Sequence, residues 1–262
     1  MTTLIAISFD DGRGDNFAII NNELLTRKIP VTLFVTTGYI DGTCPKEKKP
    51  TQKKAIRKED VVSLSRESCV EIGLHGDMHL NDEADIENGR QKLLSWIDYP
   101  ENHVFGFASP CTGFPIQSFN RSDNALFAER ISYLAMGLRI STLPKIRILA
   151  RKIGRIVHIP LLYQIAFADT LMTNCPDRVI YRVPIHRDIS FSQTKALVDI
   201  AVRRSASVAF MFHSIDNETD DIWSWHIDKF RRLCDYLNEL RKKGQLELVT
   251  VQEFANRLRS GK

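Results

Sequence analysis

His75-Gly-Asp-Met-His79 sets two imidazoles four residues apart, a spacing that puts both on one side of a helical turn and within reach of one metal ion. The pattern begins directly after an apolar run at 70–74. Asp10-Asp11-Gly12 follows the run 4–9 in the same way, and His213 follows 208–212. Each has a commonplace reading taken singly: a surface helix, an Asp-Gly turn, a capping or buried histidine. Together, three separate apolar runs end in residues that bind metals or move protons. Two imidazoles and one carboxylate with vacant positions suit catalytic Zn2+, or Fe2+ and similar ions. A fourth run, 104–107, leads into Ala108-Ser109-Pro110-Cys111-Thr112-Gly113. That stretch is either a tight connection or a loop whose backbone N–H groups hold an oxyanion. Cys111 reads as a wall residue rather than a nucleophile, since nothing near it in sequence lowers a thiol pKa.

Seven short runs, at 4–9, 31–35, 70–74, 104–107, 179–183, 208–212 and 246–249, have the length and β-branched or aromatic content of strands. Helical periodicity fills most gaps, over 16–27, 58–65, 84–97, 192–203 and 227–243, with Gly244 stopping the last. The alternation predicts a mostly parallel α/β protein, a barrel ahead of a doubly wound open sheet. Either architecture puts function at the C-terminal strand ends, where these polar residues stand. Residues 118–177 show no clear strand and read as a helical basic insertion within one domain spanning 1–262. The stretch 44–58, rich in Lys and Pro, reads as an exposed loop.

A chain of 262 residues can bury one large core, and its net charge of +4 is too slight for a nucleic-acid partner. Five cysteines, at 44, 69, 111, 175 and 234, include no CxxC pair; this speaks against a zinc ribbon and fits free thiols in a reducing compartment. The first apolar run is too short for a signal peptide, and no stretch approaches the roughly 20 apolar residues of a membrane span. The expected location is the cytoplasm. Arg13-Gly14-Asp15, a cell-adhesion tripeptide, is therefore read as coincidence.

These residues resemble the NodB-homology polysaccharide deacetylases, carbohydrate esterase family four. The resemblance rests on Ile7-Ser-Phe-Asp10-Asp11-Gly, Pro30-Val-Thr-Leu-Phe-Val35, Glu71-Ile-Gly-Leu-His75-Gly-Asp-Met-His79, Phe107-Ala-Ser-Pro110 and Phe210-Met-Phe-His213. Order and spacing fit across the chain apart from 118–177. The resemblance implies a distorted, incomplete (β/α) barrel and one divalent metal ion, Zn2+ first. It makes Asp10 the general base, Asp11 a metal ligand beside His75 and His79, and His213 the general acid. Ser109 and Cys111 fall in the loop that holds the oxyanion. Many members carry an arginine in that loop to orient the base; here Ala108 and Ser109 precede Pro110, leaving Arg182 or Arg187 to supply the charge, with Arg182 also a candidate substrate contact. The implied reaction is hydrolysis of an N-acyl group, acetyl first, from an amino sugar in surface-polysaccharide biosynthesis.

The segment 130–158 holds Arg130, Arg139, Lys145, Arg147, Arg151, Lys152 and Arg155 with no Asp or Glu. Within it Ile146, Leu149, Ile153 and Ile156 recur at helical spacing. The pattern reads as a basic amphipathic helix. It serves either as a packed cover or dimer contact, or as a contact to an anionic carrier (a nucleotide diphosphate or polyprenyl phosphate) or to the inner membrane face. Trp223 and Trp225 either stack on a sugar ring or close the barrel rim. His186 is the remaining histidine best placed to approach the site. Two rival functions are a non-catalytic sugar-binding relative and a two-His, one-carboxylate iron oxygenase, whose usual β-sandwich the strand–helix alternation opposes.

Overall fold

The computed structural model describes residues 2–119, 126–138, 145–157, 159–217 and 221–260, with the backbone alone at 126–127, 151, 154–157, 160 and 163. Seven parallel strands close into a ring: β1 Thr3–Phe9, β2 Val31–Val35, β3 Val70–Leu74, β4 Phe105–Ala108, β5 Ile131–Gly137, β6 Val179–Pro184 and β7 Val208–Phe212, with β7 returning to β1. The architecture is thus a closed parallel barrel wrapped by helices. It is also distorted. β1 pairs with β2 only at Ser8↔Thr32 and Phe9↔Leu33, and its first half pairs instead with β10, Leu246–Val249. β3 and β4 meet at the single pair Leu74↔Phe107. Between β7 and β10, two short parallel strands, β8 Ser214–Asp216 and β9 Ser224–His226, form a ribbon outside the ring.

Alternation along the strands separates two apolar layers. Ile5, Ile7 and Phe9 of β1 face the helices, in one cluster with Val31, Leu33, Leu237 and Phe230. Leu4 and Ala6 face the barrel interior with Phe34, Tyr133, Ala108, Ala135 and Ala209. That interior mixes small and large side chains, and Gly106 and Gly73 make the large ones possible. A Cβ on Gly106 would lie 2.1 Å from the Tyr133 ring, and one on Gly73 would lie 2.5 Å from Phe34. The helix Val251–Arg259 plugs the N-terminal mouth with Val251, Phe254 and Leu258.

Glu71 sits at this plugged end, accepting hydrogen bonds from Tyr133 Oη (2.5 Å), Thr32 Oγ1 (2.7 Å) and the Gln252 N–H (2.9 Å). Burial raises its carboxyl above the usual range despite those bonds. The native state therefore holds this proton more tightly than the unfolded chain. Stability falls as pH rises from the ordinary carboxyl value of about 4.3 through the folded one. Glu71→Gln removes that fall, because the Tyr133 hydroxyl can turn to accept from the new amide. Melting midpoints of both proteins followed from about pH 4 to about pH 8 check this; parallel losses in the two would exclude Glu71 as the cause.

Residues 118–177 depart from expectation. Ile131–Gly137 is a full barrel strand, paired to β4 over Phe105↔Ile131 to Ala108↔Ala135 and to β6 over Leu134↔Val179 to Gly137↔Arg182. Its Leu134-Ala-Met stretch is made of strong helix formers, and pairing on both sides overrides that propensity. The longer helices of the segment among the described residues are Lys145–Val157 and Pro160–Ala166, with short turns of helix at Leu126–Arg130 and Ala168–Thr170. Arg139 and His158, and the side chains of Arg151, Arg155 and Ile156, lie outside the description. All five cysteines are free thiols. Among the described residues no helix is long and apolar enough to cross a membrane.

Candidate metal centre

The Asp10-Asp11-Gly12 step is a turn and a site at once. The Asp10 N–H donates to Phe212 O (2.9 Å), extending the β1–β7 ladder by one residue. Asp11 (φ 77) and Gly12 (φ 78) then enter the left-handed region and reverse the chain over the barrel mouth. Such a backbone is costly for a residue with a Cβ and persists here because the surrounding structure holds it in place.

His75 and His79 come from a loop, not from the helical turn their spacing suggested. Gly76 (φ 80) and His79 (φ 59) both take left-handed backbone. The Asp85 carboxylate organises the loop by accepting from the N–H groups of Asp77 (3.0 Å), Met78 (2.7 Å) and Leu80 (3.0 Å). His75 Nδ1 lies 2.8 Å from Ala108 O, an acceptor only, so Nδ1 carries the proton and Nε2 keeps its lone pair. That Nε2 is 3.4 Å from Asp11 Oδ1, and His79 Nε2 is 3.6 Å from the same oxygen. Ligand atoms from Asp11, His75 and His79 all lie within 4.8 Å of one another. Two imidazole nitrogens, one with its tautomer fixed by a carbonyl, and one carboxylate oxygen fit a divalent ion of the Zn2+ type.

The other Asp11 oxygen is held by Arg13 Nε (2.9 Å). Arg13, buried, also donates through Nη1 to Asp221 Oδ2 (2.5 Å) and to Ser214 Oγ (3.3 Å). The residue set aside as part of an Arg-Gly-Asp tripeptide therefore ties the Asp11 carboxylate to the segment that carries Trp223. Asp15 and Asn16 join it: Asp15 accepts from the Ile215 N–H (2.8 Å), and Asn16 Nδ2 donates to His213 O (2.8 Å). The sequence signal for this network was three polar residues, Arg13, Asp15 and Asn16, within four positions of Gly12.

Asp10 points into the barrel, where Arg182 from β6 grips it with two hydrogen bonds of 2.6 and 2.8 Å and reaches Ser8 Oγ at 2.9 Å. The guanidinium stacks over Phe34, 5.0 Å from the ring centre. Of the two arginines considered, Arg182 reaches Asp10; Arg187 is exposed, 3.7 Å from Asp188. Arg182 is fully buried with its guanidinium engaged by Asp10 and Ser8, which corrects the expectation of a substrate contact.

Burial pushes the carboxyls up, but neighbouring charge wins at both. Asp11 lies far below the usual range beside His213, His75 and Arg13, and Asp10 is lowered chiefly by Arg182. Burial and the adjacent His75 take His79 down to about 4, so it offers a neutral ring at physiological pH. For His75 the desolvation penalty is outweighed by Asp11 and Asp10, and its pKa is raised. Burial lowers His213 despite the pull of Asp11 and Asp10.

These groups line one cavity of about 320 Å3, together with Cys111, Met211, Thr112 and Trp223. The His213 ring packs on Trp223 with centroids 4.6 Å apart, and its Nδ1 is buried without a hydrogen-bond partner among the described residues. Trp225 has a different place: fully buried, it donates from Nε1 to Ile189 O (2.7 Å). His186 lies behind Trp223, edge-on at 6.2 Å. Ser109, expected as an oxyanion or substrate group, also lines this cavity. Its hydroxyl donates to Asn81 Oδ1 (2.8 Å) and accepts from the Phe114 N–H (2.9 Å), so it holds the loop. Cys111 forms cavity wall, and burial pushes its thiol up, away from nucleophilic character. Thr112 borders a second cavity of about 320 Å3, which extends along Met136, Gly137 and Tyr181 at the ends of β5 and β6.

No known family profile matches the chain. No curated protein matches it either. Among solved structures it is similar to IcaB from Ammonifex degensii, at 18% identity and a TM-score of 0.37, over 50% of this chain and 58% of that one. A de-N-acetylase from Aggregatibacter actinomycetemcomitans gives 14% identity and 0.36, over 50% and 62%. The chain thus spans less than two thirds of the length of either. The catalytic domain of a peptidoglycan N-acetylglucosamine deacetylase from Eubacterium rectale gives 11% identity and 0.42, over 95% and 89%. Likeness at this level decides nothing about what the chain acts on.

Proposed function

We propose that this chain is a metal-dependent amidohydrolase that removes an N-acyl group, acetyl first, from an amino sugar carried on a nucleotide or lipid phosphate. One observation carries the reading: Asp11, His75 and His79 converge in the same cavity as the Arg182-bound Asp10 carboxylate and His213. Asp11, His75 and His79 would hold the ion, Zn2+ first. When bound, it would polarise the acyl carbonyl and acidify water.

Asp10 is the base. Arg182 keeps it ionised and fixes both its oxygens, so it takes the proton of the attacking water without first having to turn. His213, neutral at rest through burial, takes up the proton that Asp10 removed from the water and passes it to the departing nitrogen, which returns both groups to their starting states. An amide nitrogen leaves poorly without that proton. The backbone at Cys111, on the cavity wall, is the donor closest in kind to an oxyanion hole. Products are a carboxylate and a free amino sugar.

The test is acid release by Zn2+-reconstituted protein from N-acetyl and N-formyl amino sugars, offered free, as nucleotide diphosphates, as lipid phosphates and as chitin oligomers. Turnover of a phosphate-linked sugar well above that of chitin oligomers is expected. Binding of these sugars with no acid released from any of them would overturn the reading in favour of a sugar-binding protein.

Trp223, 36% exposed over the cavity, is assigned the sugar face. Trp223→Ala is expected to raise KM about fivefold, the worth of one aromatic stacking contact. A change in melting midpoint with KM unaltered would make it a rim-closing residue instead.

A further inference from the structure

The helices Lys145–Val157 and Pro160–Ala166 pack against each other, and the second packs against Phe191–Arg204, where Gln164 Nε2 donates to Ala196 O (2.8 Å). Ala150 and Ala166 turn inward. The opposite side leaves large aliphatic groups in water: Ile146 (68% exposed), Leu149 (54%) and Ile153 on the first helix, then Ile159, Leu161 (61%) and Ile165. Ile146, Leu149 and Ile153 stand three and four residues apart, which aligns them on one face. Lys145 and Lys152 are exposed beside them. The surrounding segment 130–158 holds seven Lys and Arg and no acid, with Arg130 paired to Glu87 and Arg147 to Asp169 from outside it.

Five exposed aliphatic residues on two adjoining helices, with Ile159 in the connection between them, exceed the scattered apolar exposure of a soluble surface. The charge decides what covers them. A second copy of this chain would bring two cationic segments together, whereas a bilayer with anionic headgroups meets the lysines with opposite charge and takes the aliphatic groups below the headgroups.

We propose that this helix pair is a peripheral docking face for membranes containing anionic lipid. The pair follows β5 in the chain, and the end of β5 at Gly137 lines the cavity adjoining the metal-type cluster. The inference needs neither metal nor turnover, and it stands if the proposed chemistry fails.

Cosedimentation of the full chain, without metal or substrate, tests it on vesicles of phosphatidylcholine alone and with about one third phosphatidylglycerol. Binding to the anionic vesicles is expected to be at least tenfold tighter, each basic residue contributing about fivefold at low salt. Ile146→Glu/Leu149→Glu/Leu161→Glu is expected to abolish binding with an unchanged melting midpoint. Lys145→Glu/Lys152→Glu, at two exposed positions, keeps the test valid should the triple variant unfold, and is expected to weaken binding at least tenfold. Equal binding to both vesicle types, or wild-type binding by the variants, would overturn the proposal. So would a wild-type dimer that ignores vesicles and that the triple variant dissociates, which would assign the face to a second copy.

Discussion

Elemental analysis of protein reconstituted with Zn2+ is expected to find about one divalent ion per chain, and none in His75→Ala/His79→Ala. The reason is the donor count. Asp11 Oδ2 is held by Arg13, so this carboxylate has one oxygen to give, and removing both imidazoles leaves a single ligand where a stable site needs three. The double variant should keep its fold, because the loop is organised by Asp85 and by the His75 backbone rather than by the rings. Acid release should fall to background. His75→Ala alone also frees Ala108 O, so it should lower the melting midpoint slightly more than His79→Ala. Wild-type protein that binds no metal in excess Zn2+ would remove the hydrolytic reading altogether.

Arg182→Met is expected to cost both stability and turnover. Asp10 and Arg182 are both buried, and deleting one partner strands the other's charge, which costs about 3–5 kcal/mol, or on the order of 10 °C in melting midpoint for a chain of this size. Arg182 holds the folded Asp10 carboxyl below its unfolded value, so the stability it confers is present above about pH 4 and is lost as pH falls through the folded value. The wild type and the variant should therefore converge in stability in acid. In the variant, burial is left to raise the Asp10 carboxyl, and the acidic limb of kcat/KM should move to higher pH. Asp10→Asn/Arg182→Met separates the two effects. It removes both charges and should recover much of the stability while remaining inactive. A double variant as unstable as the single one would mean that Arg182 matters through packing on Phe34 rather than through its charge.

Much of the site was legible because parallel strands share one C-terminal edge. Once 4–9, 70–74 and 208–212 read as strands, Asp10, Asp11, His75 and His213 had to meet at one rim, whatever the order of strands around the ring. What stayed hidden were groups that reach across it. Arg182 and Arg187 lie on one predicted segment, but the strand ends at Pro184: Arg182 sits within β6 and turns inward to Asp10, while Arg187 lies in the loop beyond it and stays in solvent. Arg13 looked like part of a chance tripeptide because its partner Asp221 is 208 residues away. The histidine loop looked helical because spacing alone cannot show that Asp85 has bound its N–H groups.

Residue types and apolar runs by themselves determined a parallel α/β scaffold, the polar residues at the C-terminal rim of its strands and an amphipathic helix. They did so because burial periodicity and metal-donor chemistry are local properties of the chain. Tertiary structure alone decided that Ile131–Gly137 is a strand, that the ring closes through β1 and β7, and which buried cation holds each carboxylate. Those outcomes depend on hydrogen-bond partners and low-dielectric charge pairing between segments far apart in sequence, and no local pattern records them.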